Sequence, residues 1–255
     1  MCHEIDANPA VFRDPLTSAT NASLTLTSED GATFRAYRAD PGNRSGAAVV
    51  ILPDVRGLHP FYEQLACHLA QQRHIALAID YFGRTAGTAE RDADFPFREH
   101  MNHVTRESID ADLAAAIDHL RQADGGARAV FAIGFCFGGR QAFLAGRRQF
   151  GLDGVIGFYG GPNADPNGAP GPIQLADDLG SPTLGFFGGA DEGIPAEDVQ
   201  AFDQALARVG IKHELITYPG ATHSFFDRRL SEFADASVDA WRRTLALISA
   251  HTPPS

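Results

Sequence analysis

The chain predicts an α/β fold: a mostly parallel central sheet flanked by helices, with an antiparallel hairpin at the N-terminal edge. Three observations carry this. Unbroken apolar runs such as Ala-Ala-Val-Val-Ile-Leu (47–52) and Ala-Val-Phe-Ala-Ile (129–133) suit strands covered on both faces. Longer stretches with apolar residues at helical spacing alternate with them. Before both, two stretches of alternating polar and apolar residues flank Asp30-Gly31, a hairpin signal.

Taken in order, residues 1–21 read as a loosely held arm with acids and prolines and no apolar run of the signal-peptide kind. Residues 23–28 and 33–38 form the hairpin. Residues 47–52 are the first buried strand, and 60–73 a helix with Phe61, Leu65 and Leu69 along one side. Another buried strand covers 74–81. A single long amphipathic helix is expected over 99–122, with Ile109, Leu113, Ala116, Ile117 and Leu120 in register, stopped by Gly125-Gly126. Strand 129–135, helix 138–148 and strand 154–159 follow, then a loop over 160–171 rich in proline and glycine. Strand 182–187, helix 195–209, strand 212–218 and a closing helix over 231–250 complete what reads as one domain over residues 1–255.

With 44% hydrophobic and 21% charged residues, a chain of 255 residues can build a sizeable core. Its formal net charge of −11 argues against nucleic acid and anionic membranes as partners, because both call for a basic footprint. The longest apolar runs are strand-sized and far short of a membrane span. Cys2, Cys67 and Cys136 have no CxxC or other metal-like spacing, and so sparse a set fits a reducing, cytoplasmic setting. His100, His103 and His119 share a predicted helix without a carboxylate–histidine pattern, so neither metal nor other cofactor is expected.

The chemistry centres on Gly134-Phe135-Cys136-Phe137-Gly138-Gly139, where a buried strand meets a helix. So sharp a turn strains its central residue, and side chains at the flanking glycine positions would collide with the strand and helix around them. Cys136 would stand exposed at the strand's C-terminal end and at a helix N-terminus, which favours the reactive thiolate. An inert, buried cysteine is the bland alternative. Asp191 and His223 each follow a later predicted strand, in Gly188-Gly189-Ala190-Asp191-Glu192 and Gly220-Ala221-Thr222-His223-Ser224. Nucleophile, acid and histidine then come in the chain order expected of α/β-hydrolases, at one edge of the sheet. Glu192 is the fallback acid.

In such an arrangement His223 takes the Cys136 proton or stabilises a preformed thiolate, and Asp191 fixes the imidazole. The oxyanion would be met by the N–H of Phe137 and by that of Val55, in the loop after the 47–52 strand. Phe135, Phe137, Phe158, Tyr159, Phe186, Phe187, Phe225 and Phe226 flank the strand ends; most must be core, and some should wall a pocket.

With GFCFGG, GGADEGIP and GATHSFFD, and with PDVRGL and DYFGR in the first half, the chain resembles the dienelactone hydrolase family (carboxymethylenebutenolidase-like α/β-hydrolases). These pieces run in order between residues 50 and 227. The resemblance implies an α/β-hydrolase fold and cleavage of a dienelactone-like ester or lactone through a thioester. It implies that an acidic residue after the third strand contacts the resting thiol and helps to activate it. Asp54 holds that place, where the family's best-known pattern has Glu. It also implies that Arg84 binds the substrate carboxylate.

A second family arginine usually follows the histidine by four residues; here Asp227 stands there, with Arg228 next. Arg56 is a further local cation for an anionic substrate, and surface ion pairing is the alternative for each arginine. The expected partner is a small-molecule ester or lactone, possible carboxylate included, and the protein is expected as a monomer or homodimer. Two alternatives stay open. One is a general carboxylesterase on hydrophobic esters, which the missing second arginine suits. The other is a non-catalytic redox or ligand-sensing module using Cys136 as its thiol.

Overall fold

A computed structural model describes residues 20–92, 94–122 and 126–254. The predicted arm lies outside them except for residues 20 and 21, which begin the first strand, and so does Gly125 of the expected helix stop. The described residues divide into two compact units, one over 20–130 and 252–254, the other over 131–251.

In the first unit, β1 (Thr20–Thr27) and β2 (Thr33–Asp40) pair antiparallel from Thr27 opposite Thr33 to Thr20 opposite Asp40. Their turn closes as predicted around Gly31, at φ +81°, where the Gly31 N–H donates to the Ser28 carbonyl. β2 runs antiparallel to β4 (Ile75–Ile79), and β4 runs parallel to β3 (Ala47–Leu52), so the order is β1-β2-β4-β3. β3 and β4 are buried at every position, which is why they read as continuous apolar runs instead of alternating ones. Two helices pack on these strands, α1 (Pro60–Gln71) and, after the short α2 (Gly83–Ala86) and α3 (Phe97–Met101), α4 (Arg106–Gln122).

The single helix expected over 99–122 is therefore two. Periodicity alone could not find the break, because its cause is local polar chemistry. The Thr105 hydroxyl accepts the Ser108 N–H at 3.2 Å, and the Ser108 hydroxyl accepts the Thr105 N–H at 3.0 Å. This reciprocal box starts a new helix at Arg106 and leaves α3 to end at Met101.

The second unit opens within β5 (Ala129–Phe135) and continues with β6 (Gly154–Phe158), β7 (Thr183–Gly188) and β8 (His213–Tyr218), all parallel and in that order. α5 (Phe137–Ala145), α6 (Ala196–Arg208) and α7 (Ala234–Ala250) are its helices. α5 starts one residue earlier than expected and stops three earlier, giving way to a 3-10 turn at Arg148–Phe150. An aromatic core fills the unit: Phe135, Phe143, Phe158, Phe186, Phe202 and Phe225 are all fully buried. Each contributes about 1.5–3 kcal/mol relative to exposure. The predicted class is the observed one, α/β with mostly parallel strands and an antiparallel N-terminal pair.

Replacing Thr105 by Ala removes the α4 cap and should cost about 1 kcal/mol of stability, read from urea unfolding. No change in midpoint would mean that Arg106–Gln122 starts without this box.

Candidate active site

Cys136 sits between β5 and α5 at φ +56° and ψ −116°, a conformation that non-glycine residues rarely adopt. Its N–H donates to the Phe158 carbonyl at 2.9 Å, and its carbonyl accepts the Arg140 N–H at 3.1 Å in the first helical turn. The flanking glycines have a steric cause. A Cβ on Gly134 would run into the Gly138 carbonyl, and one on Gly139 would lie 2.5 Å from the Phe158 carbonyl oxygen. The turn thus presents the thiol, on a half-buried residue, at the end of β5 and the start of an α-helix. Phe137, the first residue of α5, follows directly.

Asp191 follows β7 in a loop tied to the next one, since the Ala190 N–H donates to the Ala221 carbonyl at 2.8 Å. Its side chain is 3% exposed and its Oδ1 accepts the Gly193 N–H at 2.9 Å. Oδ2 accepts the Nδ1–H of His223 at 2.7 Å. Glu192 next to it is exposed, so the buried acid is Asp191. His223 follows β8, and Ser224 after it takes φ +61°. With Nδ1 committed to Asp191, Nε2 is the nitrogen left free of that bond. Burial pulls the imidazole pKa down, but the Asp191 and Cys136 hydrogen bonds and charges outweigh it and raise the value to about 10. The second unit therefore brings together Cys136, Phe137, Asp191 and His223.

The other predicted site residues stand in the first unit. Val55 lies in the turn between Asp54 and Gly57, closed by the Gly57 N–H on the Asp54 carbonyl at 3.0 Å. Asp54 is fully buried, and Arg56 reaches back to it through Nε at 3.1 Å and Nη2 at 2.6 Å. His59 Nε2 lies 3.7 Å from the same carboxylate. Burial alone would push this carboxyl up; His59 and Arg56 together hold it below the ordinary carboxylate range.

Arg84 in α2 forks onto Asp112, with Nη1 2.7 Å from both carboxylate oxygens, and its Nη2 lies 2.8 Å from Asp30. Asp112 also accepts the Ser28 hydroxyl at 2.5 Å. Its part was missed, although a signal existed: it interrupts the apolar side of α4 between Ile109 and Leu113 and is 1% exposed. An acid on that face needs a partner. Among the described residues no three His, Cys, Asp or Glu side chains gather as metal ligands would.

Comparison with known proteins adds to this geometry. The model of the dienelactone hydrolase family matches residues 34–252. A carboxymethylenebutenolidase of Rhodococcus opacus is 31% identical over 215 residues, covering 79% of this chain and 80% of that protein. A protein of Escherichia coli strain K12, provisionally assigned as a carboxymethylenebutenolidase, is 30% identical over 233 residues, 88% of this chain and 85% of its own. Among solved structures, one from Klebsiella pneumoniae described provisionally as a dienelactone hydrolase superposes with a TM-score of 0.81 at 27% identity. It matches over 91% of this chain and 99% of its own length.

Two outcomes follow from the charges. Arg84→Ala strands a buried carboxylate at Asp112 and should lower stability by about 1–3 kcal/mol in urea unfolding; an unchanged midpoint would show the fork to be idle. For His223 the folded pKa, about 10, lies above the unfolded one, so the folded state holds a proton that the unfolded chain releases. The stability due to this proton is complete below a pH of about 6.5 and disappears as pH rises through about 10. Unfolding of wild type and His223→Gln at pH 6, 8 and 10 should converge with rising pH, and a constant gap would exclude the linkage.

Proposed function

Because the chain belongs to the dienelactone hydrolase family, we propose that it is a carboxylic-ester hydrolase in which Cys136 attacks an activated ester or lactone, His223 handles the proton and Asp191 orients the imidazole. One observation carries the reading: the 2.7 Å hydrogen bond between His223 and Asp191, in the same unit whose strained strand–helix turn presents Cys136. The reading takes the chain as one working hydrolase domain, cytoplasmic on its sparse cysteines, and monomeric or homodimeric.

The raised His223 pKa supports an imidazolium at neutral pH, and in the proposed mechanism Cys136 reacts as the thiolate. The thiolate adds to the substrate carbonyl, and the oxyanion is met by the N–H of Phe137, with the Val55 N–H as the proposed second donor. The tetrahedral adduct collapses to a thioester as the C–O bond breaks, and the imidazolium gives its proton to the departing alkoxide or enolate oxygen. Neutral His223 then takes a proton from water, which adds to the thioester. Collapse expels the thiolate, releases the carboxylic acid and restores the ion pair. Enol and aryl oxygens leave readily at this step, which favours activated esters and lactones over amides.

Substrate charge separates two readings within this chemistry. A dienelactone-like substrate carries a carboxylate and calls on a cation. In the proposed roles, Arg84 would have to leave Asp112 and Asp30, and Arg56 would have to leave Asp54. Thiol activation by Asp54 would need the same exchange. The engagement of Arg84, with Asp227 where the family's second arginine stands, favours a neutral, hydrophobic ester. A panel of cis- and trans-dienelactones beside p-nitrophenyl esters decides between them by kcat/KM.

For the nucleophile, Cys136→Ala should lower p-nitrophenyl acetate hydrolysis by at least about a thousandfold, and iodoacetamide should inactivate the wild type. Full activity in Cys136→Ala would exclude the cysteine mechanism.

A further inference from the structure

The four parallel strands of the second unit, in the order β5-β6-β7-β8, are each followed within a few residues by a residue of interest. Cys136 follows β5, Asp191 follows β7 and His223 follows β8. Tyr159 follows β6, between the nucleophile and acid strands, and has been given no role in the chemistry.

Its conformation is unusual. Among the described residues, the non-glycine residues at positive φ are Arg73, Cys136, Tyr159 and Ser224. Two of them are the nucleophile and the neighbour of the histidine. Tyr159, at φ +39°, is the third in this unit, and a bulky aromatic there is a true outlier. Backbone and ring are both held. The Tyr159 N–H donates to the Phe186 carbonyl at 2.7 Å, and the residue is fully buried. Phe225 meets the ring edge-on at 5.4 Å, and Phe135 and Phe158 lie at 6.2 Å. The ring also meets the imidazole of His223, centroid to centroid 5.0 Å at 56°.

The hydrogen bond to Asp191 orients the imidazole through Nδ1 but tolerates a spread of ring angles, because the last torsion of histidine is broad. A wall against the ring removes that freedom. We propose that Tyr159 is a positioning residue of this site, its ring holding the His223 imidazole at the angle from which it serves Asp191 and Cys136 together. Its unfavourable backbone conformation is what brings the ring from the end of β6 to that place. The inference rests on the Cys136–His223 reading given above.

The test compares Tyr159→Phe, which keeps the ring, with Tyr159→Leu and Tyr159→Asn, which lack it. Asn tolerates a left-handed backbone and serves if Leu fails to fold, as judged by circular dichroism. Kinetics on p-nitrophenyl acetate are read with the downfield proton resonance of the His223 Nδ1–H. Tyr159→Phe should stay within about twofold of wild type. The ring-less variants should lose about 10- to 100-fold in kcat with little change in KM, and their resonance should broaden or vanish. A folded ring-less variant with wild-type kcat and resonance overturns the inference. So does equal loss in Tyr159→Phe, which would assign the effect to the hydroxyl. Cys136→Ala is measured alongside: activity retained there removes the cysteine reading and this inference together, whereas an inactive Cys136→Ala beside a fully active ring-less variant removes this inference alone.

Discussion

The left-handed backbone at Cys136 is the constraint on which the site depends. An L-residue resists φ +56°, so the conformation persists only where its surroundings over-determine it. Here the N–H is bound by the Phe158 carbonyl, the carbonyl is bound by the Arg140 N–H, and Gly134 and Gly139 remove the Cβ atoms that would force β5 and α5 apart. The same device recurs at Tyr159 and Ser224, so the unit concentrates backbone strain at its strand ends, where its chemistry-bearing side chains stand.

Electrostatics then divides the titratable groups into two kinds. Asp191 is buried and meets one imidazole and one backbone N–H, a setting that orients His223 and keeps it charged. In the first unit, buried carboxylates are met by arginines: Asp54 by Arg56, Asp112 by Arg84, and Asp80 by Arg91 at 2.6 Å. Isolated, each of those acids would be costly to desolvate, and removing the arginine would leave an unmatched charge. An arginine in a family motif is therefore not by itself a ligand for substrate, because an acid elsewhere in the chain can claim it.

The sequence was legible where one dominant physical requirement leaves a mark. Strands covered on both faces must be continuously apolar, which located β3 to β7. A tight strand–helix turn must have glycine on both sides of its centre, which located Cys136. It was less legible where several weak local terms compete. The hydroxyls of Thr105 and Ser108 start a helix in the middle of an apolar periodicity, and nothing in that periodicity records it. The early end of α5 and the late start of α7 at Ala234 are of the same kind.

By itself, the sequence determined the class of fold, the turn that holds Cys136, and the chain order of Cys136, Asp191 and His223, because spacing and residue type control what a strand end can carry. Only the tertiary structure decided which partners the polar groups take. Arg84 meets Asp112 across 28 residues, Asp191 meets His223 across 32, and the ring of Tyr159 meets the same imidazole across 64, a distance along the chain that no local pattern spans. Burial makes those pairings obligatory, but which pairs form depends on which strand ends the sheet sets side by side.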